Sequence, residues 1–378
     1  MRWPSHGSNP QYLYEAMGLE LPNPYIDFSA NINPLGPPPA LKEKWHDFFQ
    51  EINVYPDPFA TQLKERIAES VRTSIDSILI GNGGADLITL LARMLAGKKV
   101  VIVEPTFSEY EQACLTNKCE VVYHQLVEPN FGLNPEELEV SLKNADALFL
   151  CNPNNPTGIQ YPASTMISII EECEKQKCLV ILDEAFFDFL LEYDSLVPYI
   201  NRFSNLIILR SLTKMFAIPG IRLGYLIAQP SIVSALFDLQ SHWSTNTIAL
   251  LAGEICLQNE PFIIETQEYI RCERERLFAF FKQQGFIVSA SQVNFYLLQD
   301  PHLKDQFPLF EFLLHQGIIP RHTFNFPGLE GRWLRFAIKQ SEENNRLMEV
   351  FAGWRQHHAS LSQAEYEVGR AALLRGKQ

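Results

Sequence analysis

Five short apolar runs constrain this chain more than any other feature: KVVIVEP (Lys99–Pro105), ALFLCNP (Ala147–Pro153), CLVILDEAF (Cys178–Phe186), NLIILRS (Asn205–Ser211) and GYLIA (Gly224–Ala228). Their apolar stretches are continuous rather than alternating, so each must be covered on both faces. Most are separated by stretches of helical periodicity such as Ala163–Lys175. Buried strands alternating with helices predict an α/β fold, with a mostly parallel central sheet and helices on both faces. Upstream, LKERIAESV and ADLITLLARMLA predict helices, and SILIGNGG predicts a strand running into a glycine turn. Residues 45–255 are assigned to this large domain.

The flanks read differently. Residues 1–44 are rich in Pro, Asn and Gly. They predict an arm without long regular elements, laid over other structure and joined to the small domain and substrate site. Residues 256–356 predict a small α+β domain: a long charged helix (ETQEYIRCERERLFAFFKQQG), the segment FIVSASQVNFYLLQ, a helix near FPLFEFLLHQG and the strand RWLRFAI. Residues 357–378 form a tail, a terminal helix or frayed end, in which we read no chemistry.

With 378 residues the chain is long enough for two domains, and 46% hydrophobic content supplies a core. The net charge of −13 argues against nucleic acid or an anionic membrane as main partner, but not against a local basic pocket for a small anion. Seven scattered cysteines without a CxxC pair read as reduced thiols, and no metal site is expected. No apolar run reaches the roughly 20 residues of a membrane span. The opening MRWPSHGSNPQ lacks the apolar core of a signal peptide. A soluble, cytoplasmic protein is expected.

In an open parallel sheet, ligands bind beyond the carboxyl ends of the strands. Gly81, Gly83 and Gly84 lie at one such end, as a phosphate cradle or as a tight turn alone. Asn152, Asn154 and Asn155 follow another, in NPNNPTG, where their amides serve the turn or a ligand. Asp183 and Glu184 end a third, where a buried carboxylate requires a partner. Ser211, Thr213 and Lys214 end a fourth, with Arg222 eight residues on; Lys214 alone could be a snorkelling amine. Together they suit a cofactor with a phosphate, a ring nitrogen and an aldehyde, which is pyridoxal 5′-phosphate.

The combination NPNNPTG, DEAF, SLTK and GIRLGY resembles the fold-type-I pyridoxal-phosphate enzymes of the aspartate aminotransferase superfamily, over about His6 to Ala337. Within it the chain is similar to the histidinol-phosphate aminotransferases. HGSN, DFSANINPLG, DEAF, LRSLTKMFAIPGIRLGY and NFPGL make it more similar to the L-threonine-O-3-phosphate decarboxylases of cobalamin biosynthesis. The resemblance implies that Lys214 attaches the cofactor aldehyde and that Asp183 faces the ring nitrogen. It implies that Asn155 holds the ring O3′ oxygen and that Phe107 stacks on the ring; Phe107 reads equally as plain core. It assigns the phosphate to the N–H groups of Gly83, Gly84 and Ala85, the hydroxyls of Ser211 and Thr213, and Arg222. Tyr55 would reach the phosphate from a second subunit, which implies a homodimer. Arg335 would pair with the α-carboxylate and Arg321 with the substrate phosphate. His6 and Asn31 would close over the substrate from the arm, or simply cap loops. His322 and His302 read as surface histidines. Phe186 departs from the tyrosine usual in the aminotransferases, so O3′ loses a donor there.

The implied reaction is decarboxylation of L-threonine O-3-phosphate, a small phosphorylated amino acid, to (R)-1-amino-2-propanol O-2-phosphate and CO2. Serine phosphate differs by one methyl, worth only about 1–3 kcal/mol in a pocket. A histidinol-phosphate or related aminotransferase is the alternative enzyme. A cofactor-binding regulatory or scaffold protein without turnover is the non-enzymatic one, against which Lys214, Asp183, Asn155 and Arg335 argue.

Overall fold

The computed structural model describes residues 6–192 and 194–358, so most of the tail assigned above lies outside the described residues. The chain divides into two compact units. The larger comprises Ile32–Arg271 and Ala290–Asn294; the smaller comprises the chain through Asn31, Cys272–Ser289, and the chain from Phe295 onward. Strand β1 (Ile26–Asp27) belongs to the smaller unit. Strands β2 (Ile78–Gly81), β3 (Lys99–Glu104), β4 (Glu120–Gln125), β5 (Ala147–Cys151), β6 (Leu179–Asp183), β7 (Leu206–Ser211) and β8 (Gly224–Ile227) build the larger. Strands β9 (Ile287–Val288), β10 (Phe295–Gln299), β11 (Ile318–Ile319), β12 (Arg321–His322) and β13 (Leu334–Ala337) return to the smaller.

In the larger unit one seven-stranded sheet runs in the order β2-β8-β7-β6-β5-β3-β4. The pairs from β4 to β7 are parallel, and β8 is antiparallel to both β7 and β2. Every residue of β5 and β7 is buried, as their unbroken apolar sequences require. Strand β4 is one edge, half solvated and polar in sequence, which hid it from a reading based on apolar runs. The helix Gly84–Met94 buries Leu87, Ile88, Leu90 and Leu91 as one stripe within the core that also holds Ile102, Phe149 and Ile207. Strand, tight turn and helix in this order bring the carboxyl ends of β2, β5, β6 and β7 to the same edge of the sheet.

The smaller unit has a four-stranded sheet, β12-β13-β10-β9, whose neighbours are antiparallel, and a parallel pair, β1 with β11. Its arm contains a regular helix, Pro10–Met17, where the sequence predicted none of length. Pro10 starts it and Gly18, at φ 66°, stops it. Leu13, Tyr14 and Met17 are buried, and the Tyr14 hydroxyl donates to the Leu314 carbonyl at 2.7 Å. Tertiary burial of that stripe outweighs the poor helix composition of its surroundings.

Two boundaries differ from those assigned from sequence. Residues 32–44 group with the larger unit. Asn33 explains this: its backbone N–H donates to the Lys214 carbonyl at 3.1 Å, and its amide donates to the Met215 carbonyl and to the Thr266 hydroxyl. The other boundary falls between Arg271 and Cys272, inside the continuous helix Glu260–Gln283, where no change of pattern marks it. Among the described residues no single helix is long and apolar enough to cross a membrane.

Candidate active site

In the larger unit the polar residues at the strand ends are held by specific bonds. Asp183 closes β6 and is buried. Its Oδ1 accepts the Ala185 N–H at 2.8 Å and its Oδ2 accepts the Tyr110 hydroxyl at 2.5 Å. Burial pushes its carboxyl above the ordinary range. The bonds from Tyr110 and Ala185 oppose that rise, Glu184 adds to it and the charge of Lys214 counters it. Tyr110 was missed in the sequence, although its position three residues after Phe107 on a short helix was a usable signal.

Lys214 sits in the single-turn helix Leu212–Met215, directly after β7. Ser211 caps that turn, its hydroxyl accepting the Thr213 N–H. The Ser211 and Thr213 hydroxyls lie 2.9 Å apart, and both residues are buried. At the end of β2, Gly83 precedes the helix Gly84–Met94 with φ 84°, a conformation that favours glycine. A Cβ on Gly83 would stand 2.5 Å from Nη2 of Arg222, so the guanidinium lies against the bare backbone at the helix start. Amide groups of a helix N-terminus, two hydroxyls and a guanidinium are the kinds of donor that a phosphate would require. Gly224 packs behind the helix start, where a Cβ would meet the Gly84 nitrogen at 3.1 Å.

In NPNNPTG, the Asn152 amide bonds both backbone groups of Tyr161. Asn154 spans the Pro105 carbonyl and the Thr157 hydroxyl and N–H. These two asparagines stiffen the turn, and Asn155 is buried within it. Phe107 is half-buried and packs edge-on to Tyr110, with centroids 5.8 Å apart. Phe186 is buried against Phe189.

One ion pair was not anticipated. Glu184 meets Arg210, which follows Leu209 on β7, with Nε at 2.9 Å and Nη2 at 2.8 Å; both side chains are buried. The Arg210 guanidinium also lies 3.7 Å over the Phe187 ring. This pair ties the turn after β6 to the end of β7, the two segments that carry Asp183 and Lys214.

The smaller unit gathers a second cluster. Arg321 on β12 and Arg335 on β13 are direct cross-strand partners, and both are buried. Burial lowers the Arg321 guanidinium to about 10. Burial, with the charge of Arg321, lowers Arg335 to about 9, and Asp27 partly opposes this. Arg335 Nη2 donates to the Ser29 carbonyl at 2.8 Å; Arg321 Nη2 donates to Asn325 Oδ1 at 2.9 Å. HGSN docks onto DFSAN: the Ser8 N–H donates to the Ser29 hydroxyl, which donates to Asp27. A Cβ on Gly7 would meet Ser29 at 2.6 Å. A pocket of about 260 Å³ results, lined by His6, Ser8, Leu13, Ser29 and Arg321 among others. Asn31 is buried, and its Oδ1 has no hydrogen-bond partner among the described residues. His322 is buried beside Arg321 rather than on the surface, because β12 is a covered strand; His302 is exposed.

Tyr55 is 79% exposed and lies against Trp243, centroids 5.0 Å apart. Trp45, Phe49, Ile52, Val54 and Phe59 are exposed along the same stretch of chain.

Comparisons with known proteins fit this arrangement. The chain is 35% identical to a threonine-phosphate decarboxylase of Salmonella typhimurium, over 91% of this chain and 94% of that one. It is 31% identical to an adenosylcobalamin biosynthesis bifunctional protein of Leptospira interrogans, over 93% of this chain and 41% of that longer one. The crystal structure of the histidinol-phosphate aminotransferase from Clostridium acetobutylicum superposes with a TM-score of 0.83 at 31% identity, covering 87% of this chain and 99% of that one. The model of the class I and II aminotransferases matches residues 23–351, and the chain belongs to that family.

Proposed function

We propose that this chain is a pyridoxal-phosphate enzyme that decarboxylates L-threonine O-3-phosphate to (R)-1-amino-2-propanol O-2-phosphate and CO2, a step of cobalamin assembly. The observation that carries the reading is the pair of buried guanidiniums, Arg321 and Arg335, beside the HGSN arm, in a chain 35% identical to a threonine-phosphate decarboxylase. Two buried cations side by side are costly alone and are repaid by an anionic ligand.

The residues of the larger unit fit the cofactor. Gly83, Gly84, Ala85, Ser211, Thr213 and Arg222 would hold its phosphate, Asp183 its ring nitrogen, Asn155 its O3′ oxygen, Phe107 one ring face, and Lys214 its aldehyde. Pyridoxal phosphate, when bound, supplies the electron sink for the pair left at Cα. Asp183, as a carboxylate, would keep a proton on the ring nitrogen. Arg335 pairs with the α-carboxylate and Arg321 with the phosphate; His6 and Asn31 close over them. These anchors orient the Cα–carboxylate bond for cleavage, and that orientation separates decarboxylation from transamination. Lys214, once its amine is free of the aldehyde and protonated, would be the side chain that supplies the proton replacing the lost carboxylate at Cα. Exposed Tyr55 and the apolar side chains near it support a homodimer in which Tyr55 serves the neighbouring copy. We place this activity in the cytoplasm, where a small phosphorylated amino acid would be available as substrate.

The test is incubation of the holoprotein with O-phosphothreonine and no keto acid, following CO2 and the amine. CO2 release at turnover is expected. Glutamate from histidinol phosphate and 2-oxoglutarate, without CO2 release from phosphothreonine, would overturn the assignment in favour of the aminotransferase.

A further inference from the structure

We infer that Tyr110 is a positioning residue that holds Asp183 in its charged form and aims it at the cofactor ring. The inference rests on the reading of Asp183 as the partner of the ring nitrogen. Tyr110 is fully buried, its ring stacks on Phe149 at 5.2 Å and lies nearly perpendicular to the Phe107 ring at 5.8 Å. Its hydroxyl is thereby fixed and donates to Asp183 Oδ2 at 2.5 Å. One side chain thus supports two cofactor contacts, the carboxylate for the ring nitrogen and the aromatic for the ring face.

The electrostatics give the hydroxyl its importance. Asp183 is buried, and Glu184 beside it adds like charge. Four groups face it: Tyr110 from the helix Glu109–Thr116, Cys151 as its register partner on β5, Glu184 on its own turn, and Lys214 after β7. Arg210 neutralises Glu184, and Asp188 also feels the charges of that pair. Cys151 carries no charge to offer, because burial pushes its thiol upward. Without the Tyr110 donor, burial would favour the protonated carboxyl, which cannot balance a protonated ring.

The experiment compares wild type, Tyr110→Phe, Asp183→Asn and the double variant. The absorbance of the lysine-linked cofactor is titrated with pH. In the ligand-free protein, the infrared band of the protonated Asp183 carboxyl is titrated, identified by its absence in Asp183→Asn. Tyr110→Phe is expected to raise the infrared midpoint by about one unit or more. The spectral midpoint should rise too, since an uncharged ring withdraws less electron density from the lysine linkage. Asp183→Asn should raise the spectral midpoint further, and the double variant should match it. A ring-fluorinated tyrosine at 110 keeps the shape, strengthens the donor and should lower the infrared midpoint, which keeps the test valid if the phenylalanine variant folds poorly. If Asp183→Asn moves the cofactor spectrum and neither Tyr110 change moves either midpoint, the role of Tyr110 is overturned. If Asp183→Asn leaves the spectrum unmoved, the reading of Asp183 fails first and takes this inference with it.

Discussion

Arg321 and Arg335 stand directly opposite each other across β12 and β13, so two buried guanidiniums share one face of a small sheet. Each lowers its proton affinity through burial, and Arg335 further through Arg321. Arg335→Met is therefore expected to raise the melting temperature of the ligand-free protein, since replacing a buried charge by an apolar side chain often gains about 1–4 kcal/mol. The same variant should lose O-phosphothreonine binding by roughly a hundredfold or more, as a charge-assisted contact is removed. Calorimetry and thermal unfolding read the two effects. Unchanged affinity in the variant would remove Arg335 from the substrate site.

Gly83→Ala tests the phosphate cradle. The added Cβ would strike the Arg222 guanidinium at a φ of 84°. The expected cost is about 1–2 kcal/mol of backbone strain, together with displacement of Arg222. Cofactor should dissociate on dialysis at least tenfold faster than from the wild type. Equal retention would mean that Arg222 and the helix start do not hold the phosphate.

Glu104 gives a pH signature. It closes β3 and is buried, and its Oε2 accepts the Thr106 N–H at 2.7 Å. Burial raises its carboxyl from 4.5 to about 7, against the pull of that N–H and with help from Glu111. Folding therefore favours the protonated form. The stability it contributes is complete below about pH 4.5 and is lost as pH rises through about 7. The total is on the order of 3 kcal/mol across that window. Denaturant titrations of Glu104→Gln, which keeps an acceptor for Thr106, should show a flatter pH dependence there. Identical profiles would refute the shift.

Mixed subunits test Tyr55. Lys214→Ala and Tyr55→Ala proteins should each be impaired. If Tyr55 serves the neighbouring copy, a mixed dimer carries one intact site and one doubly damaged site. Random reassortment of equal amounts should then restore about a quarter of the wild-type sites. Sedimentation checks the dimer, and the aldehyde–lysine absorbance should be missing from Lys214→Ala alone. No recovery in verified mixed dimers would place Tyr55 outside the site.

The central sheet was legible because its strands are buried on both faces, and continuous runs such as LIIL and LVIL have no other use. The residues proposed to hold the cofactor stand out in the sequence for a related reason: costly polar groups follow those runs at the strand ends. The arm helix Pro10–Met17, the edge strand β4 and the unit boundary inside Glu260–Gln283 were not, because each depends on what covers it rather than on local pattern. The sequence by itself determined the fold class, the buried strands of the central sheet and the helices between them, and the residue types at the strand ends. Only the tertiary structure decided that Tyr110 bonds Asp183, that Arg210 meets Glu184, and that Arg321 faces Arg335. Those pairings lie 73, 26 and 14 residues apart in sequence (183 − 110, 210 − 184, 335 − 321). Hydrophobic pattern specifies which face of an element is buried, whereas hydrogen bonds and register between distant elements are set only when packing brings them together.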